Sequence, residues 1–201
     1  MYIYILLFFS IITKILGFLN VYLIKAHHPK FKLLKNKILC LPFIHYTTSS
    51  IYVLLFWIYN KIYYENVSSN LTSLVWCLLS TVTIGYWLLI KNDNSIPKYN
   101  IFMNDFSNFM HHGGILLLFL PYIIYHPFSI SSVYLSILFS LGWLLFVILP
   151  WYYLTDDSVY SFLDKNNTIF KKFIIFVIML FINILNCILG SLLSNRFKII
   201  Y

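Results

Sequence analysis

The fold class this sequence predicts is all-α: a polytopic transmembrane bundle of about six spanning helices, on three observations. Apolar residues fill 61% of the 201 positions and charged residues only 10%, whereas a soluble domain carries roughly a quarter charged residues. The mean hydropathy is +0.82. The apolar residues are gathered into six runs, each near the ~20 residues a helix needs to cross the hydrocarbon core. Disorder is excluded because aromatics make up 20% of the chain, and disordered chains are poor in them. Three cysteines, Cys40, Cys77 and Cys187, all sit inside apolar runs, which excludes a disulfide scaffold.

The first run, 2–24, lacks the basic leader and small-residue cleavage site of a signal peptide, so a retained helix is expected. The others cover 38–59, 71–90, 106–125, 130–153 and 169–193, and residues 1–201 read as one integral membrane domain. Trp57, Tyr59, Tyr125, Trp151 and Tyr152 stand at run ends, as the aromatic belt of a membrane interface requires. The net charge of +8 sits mostly between the runs, where it sets topology rather than marking a nucleic-acid surface. Lys25, Lys30, Lys32, Lys35, Lys37, Lys91, Lys98, Lys165, Lys171 and Lys172 fall in the odd loops. The positive-inside rule then places those loops in the cytosol and both termini outside. The expected location is the endoplasmic reticulum or another endomembrane, as a multi-pass protein.

Polar side chains in lipid cost free energy unless they face protein or water, so they are functional candidates. Two clusters meet that test. The second run carries His45, Tyr46, Thr47, Thr48, Ser49 and Ser50; the fourth opens with Asn104, Asp105, Ser107 and Asn108, then His111, His112, Gly113 and Gly114. Nothing comparable interrupts the first, fifth or sixth runs. The second and fourth runs cross in the same direction, and at about 1.5 Å per residue the threonines and His112 differ in depth by only about 5 Å. The fifth run ends on that side with Thr155, Asp156 and Asp157. Asn108 stands four residues before His112, a helical spacing that lets its amide orient the ring. The two glycines let another helix or a substrate approach the backbone.

Ordinary explanations compete with these readings. Ser49 and Ser50 are expected to bond back to the preceding turn's carbonyl, His126 to sit at the interface, His27 and His28 to be solvated, and Asp156 and Asp157 to form a surface turn. Six histidines are too few for a membrane di-iron oxygenase. A zinc-dependent intramembrane hydrolase needs three protein ligands and an open position, for which His45, His111, His112 and Asp156 are the available set. A transporter would show broken helices or inverted repeats, and neither is present. A non-catalytic lipid-binding, transport or scaffold protein is the other alternative.

Three stretches share a pattern with a known family: FIHYTTSSIYVLLFWIY; NFMHHGGILLLFLPYIIYHP; and GWLLFVILPWYYLTDDSVYSFLD followed by FINILNCILGSLL. In their order and spacing, from about Lys32 onward, the chain resembles the family of androgen-induced (FAR-17a-like) and androgen-dependent TFPI-regulating membrane hydrolases. The resemblance implies an intramembrane esterase with a threonine nucleophile and a histidine base, cleaving fatty acid esters of hydroxy fatty acids. It places the base at His112 and the nucleophile at Thr47, with Thr48 second, since an ungapped alignment sets His45 at the threonine position. His45, His111 and Asn108 are then the orienting or substrate-binding residues. No cofactor or metal is expected, and the partners are a lipid ester substrate in the bilayer and the membrane lipids, with no nucleic acid.

Overall fold

The computed structural model describes residues 1–27, 49–65, 67–91, 101–150 and 166–198, and these are all-helical, with no strand among them. Among the described residues there are six rods, each overlapping one apolar run. They are α1 (Tyr2–His27), α2 (Ser49–Tyr64), α3 (Ser69–Gly85, continued by a π-helical turn Tyr86–Ile90), α4, α5 and α6 (Ile169–Lys198). Rod α4 joins Ile101–Phe109 to Ile115–Tyr125 through a π-helical turn, Met110–Gly114. Rod α5 runs Ser132–Trp143 and continues as a π-helical turn, Leu144–Ile148. Among the described residues, three stretches are long and apolar enough to cross a membrane: Ser69–Leu88, Asp105–Tyr125 and Ile169–Ser194. Their outward faces carry large exposed apolar side chains, such as Phe170, Phe173, Val177, Phe181, Leu185 and Leu192 along α6. Water would penalise that surface and a lipid core would not, which is compatible with a membrane protein.

Local chemistry sets the helix ends. Ser68 caps α3, its hydroxyl accepting the Leu71 N–H at 3.3 Å, which satisfies one of the donors a helix start leaves open. After α2, Glu65 takes a left-handed conformation (φ 53°), the usual way to stop a helix. Inside the runs, hydroxyls bond back one turn, as at Ser10 to Leu6, Thr13 to Phe9, Ser80 to Trp76 and Thr83 to Leu79.

Helix α3 is central, packing on α2, α4, α5 and α6, while α1 lies against α2 and α4. In lipid the hydrophobic effect does not hold helices together; close packing and hydrogen bonds do. Both are present along α3. The Trp57 indole of α2 donates to the Thr72 hydroxyl at 3.0 Å and stands edge-on to Phe119 and Tyr122 of α4. The Trp76 indole donates to the Asn186 carbonyl of α6 at 2.8 Å, and the Asn186 amide reaches Thr81 at 3.4 Å. Gly190 is the notch for Trp76 and Phe128, and Gly85 the notch for Met179; a Cβ at either would overlap those side chains.

Between these contacts the structure joins Cys77 of α3 to Cys187 of α6 in a buried disulfide, with Cα atoms 5.6 Å apart. The sequence reading excluded a disulfide scaffold because its cysteines lie in apolar runs. The bundle is not such a scaffold, but the reason was wrong: antiparallel helices packed in one bundle bring cysteines of equal depth together. Cys40 lies outside the described residues.

Candidate active site

The turn Met110–Gly114 is where α4 departs from a regular helix, with His112 at φ −114° and ψ 18°. A π turn inserts one residue into the hydrogen-bond ladder, so side chains on its two sides lose their i, i+4 register. The His112 carbonyl accepts instead from the Trp87 indole of α3 at 3.1 Å. Lys91, one turn on from Trp87, places its ammonium 4.0 Å from that indole's centroid. The His112 ring lies flat on Tyr86, centroids 4.0 Å apart and planes 1° off parallel. Two π turns, Tyr86–Ile90 and Met110–Gly114, thus meet here and hold one imidazole by its face and its backbone. The residue is 7% exposed, and its Nδ1 has no hydrogen-bond partner among the described residues.

The adjacent histidine faces another way. His111 donates from Nδ1 to the Ser107 carbonyl at 2.8 Å, which leaves the lone pair of the neutral ring on Nε2. That atom is buried without a hydrogen-bond partner among the described residues and packs on Gly17 of α1, where a Cβ would collide with it. The two imidazole centroids are 6.2 Å apart. His111 is a packing residue between α1 and α4, and His112 faces α3. On α1, one turn before Gly17, Lys14 is 7% exposed and its ammonium lies 3.3 Å from the Tyr52 ring centroid of α2. An unpaired buried polar atom costs about 1–3 kcal/mol, so His111 Nε2 and His112 Nδ1, without a partner among the described residues, are atoms that packing alone does not account for. The Ser50 hydroxyl, fully buried, and both amide atoms of Asn183 near the middle of α6, 1% exposed, likewise have no partner among the described residues.

Among known protein-family models, characterised proteins and solved structures, nothing matches the chain. The site therefore stands on its own geometry. Thr47, Thr48, His45, Thr155, Asp156 and Asp157 lie outside the described residues. No hydrogen bond joins Asn108 to His112: the intervening π turn breaks the spacing that would have aligned them, and Tyr86 orients the ring instead. Gly113 is not a close approach either, since a Cβ there would meet nothing nearer than 3.9 Å. No group of three metal-ligating side chains gathers among the described residues.

Three features escaped the sequence reading. It treated the first and sixth runs as uninterrupted, yet Lys14 and Asn183 are buried inside them. Both were visible as polar residues in apolar runs, the very signal that singled out the histidines. Tyr86 and Trp87 carry no signal in the sequence, and nothing short of the packing shows that one stacks on His112 and the other holds its carbonyl.

Proposed function

We propose that the chain is a multi-pass endomembrane esterase that hydrolyses fatty acid esters of hydroxy fatty acids within the bilayer. Thr47 is the nucleophile, with Thr48 the second choice, and His112 is the general base. The single observation supporting this beyond the resemblance is the His112 imidazole, enclosed, held by Tyr86 and Trp87, and offering an Nδ1 that no described group engages. A base must be fixed in place and have a nitrogen to spare, and His112 meets both conditions. Its neighbour His111 does not, since its free nitrogen is sealed against Gly17.

In the reaction, His112 takes the Thr47 proton as the alkoxide attacks the ester carbonyl. The tetrahedral adduct expels the hydroxy fatty acid, whose oxygen takes that proton back from His112. Water, giving a proton to His112, then attacks the acyl-threonine; the fatty acid leaves and the threonine oxygen recovers the proton. Apolar helix faces hold the acyl chains.

A fluorophosphonate probe tests the assignment. Wild type should label covalently, Thr47→Ala and His112→Ala should not, and Thr48→Ala should label as wild type does. Equal labelling of wild type, Thr47→Ala and Thr48→Ala would remove the threonine nucleophile from consideration.

A further inference from the structure

Asn183 stands near the middle of α6, 1% exposed, with neither amide atom bonded among the described residues. Its position follows from the contacts on either side. Met179, one turn earlier, meets Gly85 of α3, and Cys187, one turn later, is bonded to Cys77. The face of α6 that carries Asn183 is therefore turned toward α3. Its depth follows from the Ser194 hydroxyl, which donates to the His126 carbonyl and so sets the ends of α4 and α6 level. Counted back from that bond along two parallel helices, Asn183 lies eleven residues away and His112 fourteen, a difference in depth of about 5 Å. A second route gives a somewhat larger offset: Met179 is level with Gly85, and the next residue, Tyr86, carries the His112 ring, which puts Asn183 five residues, or about 7 Å, from it in depth.

His112, 7% exposed, and Asn183, 1% exposed, thus flank the end of α3 at neighbouring depths. Their chemistry is complementary. The imidazole offers a lone pair to a proton, and the amide offers two N–H donors to an oxygen. A group that a base deprotonates an attacker toward, and whose oxygen gains negative charge, needs that pair. A buried amide of this kind is conspicuous in an apolar bundle, where nearly every polar atom finds a partner. We propose that the Asn183 amide is the carbonyl-binding donor of this site: it holds the ester carbonyl oxygen of the lipid substrate and stabilises the oxyanion formed there. The assignment rests on the esterase reading of the His112 site and gives it a residue that the helix-spacing argument had sought at Asn108.

The test separates binding from turnover. Full-length protein carrying Thr47→Ala and Thr48→Ala, in detergent micelles, is titrated with a fluorescent palmitoyl ester of hydroxystearic acid and with its ether analogue, which lacks the carbonyl. The ester should bind about tenfold more tightly than the ether, the worth of one buried hydrogen bond. Adding Asn183→Leu should erase that preference while leaving the melting temperature unchanged or raised, because a structural amide would lower it and an unpaired one would not. Asn183→Ala provides the same reading should the leucine variant fail to fold. A preference that survives both substitutions, no preference in the parent, or a melting temperature that falls in both variants would each overturn the assignment. If fluorophosphonate labelling fails while the preference depends on Asn183, the esterase reading falls and the carbonyl site stands.

Discussion

The two ends of the bundle handle polar atoms in opposite ways. At the end built from the start of α3 and the close of α2, α4 and α6, buried donors find acceptors: Trp57 on Thr72, Trp76 on Asn186, the Ser129 N–H on Ser73, and Ser194 on His126. The Tyr2 hydroxyl is the exception there. At the other end, His111 Nε2, His112 Nδ1 and the Ser50 hydroxyl are buried and have no partner among the described residues. The three π-helical turns among the described residues, in α3, α4 and α5, fall at that second end. A π turn spoils a regular ladder and survives where something other than helix stability selects it. One end holds the helices together; the other is held in a costly arrangement, which is what a site that receives a substrate requires.

Breaking the paired end should have the largest effect. The disulfide between Cys77 and Cys187 closes a loop of more than a hundred residues, and Cys77→Ser should cost about 2–4 kcal/mol of stability. Unfolding in mixed micelles measures the loss. A thiol-alkylation assay on denatured wild type gives the independent check: at most one of the three cysteines should react before reduction, and all three after it. Three reactive thiols before reduction would remove the covalent link and leave α3 and α6 held by packing and hydrogen bonds alone.

A smaller effect sharpens the contrast within the unpaired end. Gly17→Ala drives a methyl into the His111 ring, and overpacking of that kind costs about 1–3 kcal/mol. Gly113→Ala places its methyl in ordinary van der Waals space and should stay within about 0.5 kcal/mol of wild type. If the two variants lose equal stability, His111 is not seated on Gly17. Restoring much of the loss by adding His111→Ala to Gly17→Ala would identify the ring as the obstacle.

Much of this was legible in the sequence, for a physical reason. Apolar length limits where a helix can lie, so each rod among the described residues overlaps an apolar run, and three of them are long and apolar enough to cross a membrane. Partners across helices depend on depth and rotation together, and a sequence specifies rotation only while the helix is regular. The spacing of Asn108 and His112 counts 3.6 residues per turn straight through a π turn, and it fails there. The Cys77–Cys187 bond and the Tyr86–His112 stack join helices across long separations, with no local pattern to announce them. Lys14 and Asn183 were readable in principle. Lys14 stands beside Thr13 and Asn183 three residues before Asn186, groups smaller than the histidine and hydroxyl clusters that drew attention first.

The smallest effect concerns pH at the paired end. His126 lies just beyond the close of α4, its ring flat on Tyr122 and its Nδ1–H donating to the Tyr122 carbonyl at 2.9 Å. Burial holds this imidazole below its ordinary 6.5; the bond to the carbonyl opposes that, and the Lys61 charge adds to it. Folded protein therefore binds fewer protons than unfolded protein between the depressed value and 6.5, so stability rises with pH across that interval. The contribution is fully present above 6.5, shrinks as pH falls through the interval, and is gone below the folded value. His126→Gln keeps a donor for the carbonyl and removes the titration, so its stability should vary less with pH than that of wild type over the same interval. Identical slopes would mean that water reaches the ring in the folded state, and the layer joining Tyr122, His126 and Ser194 would then be looser than its hydrogen bonds imply.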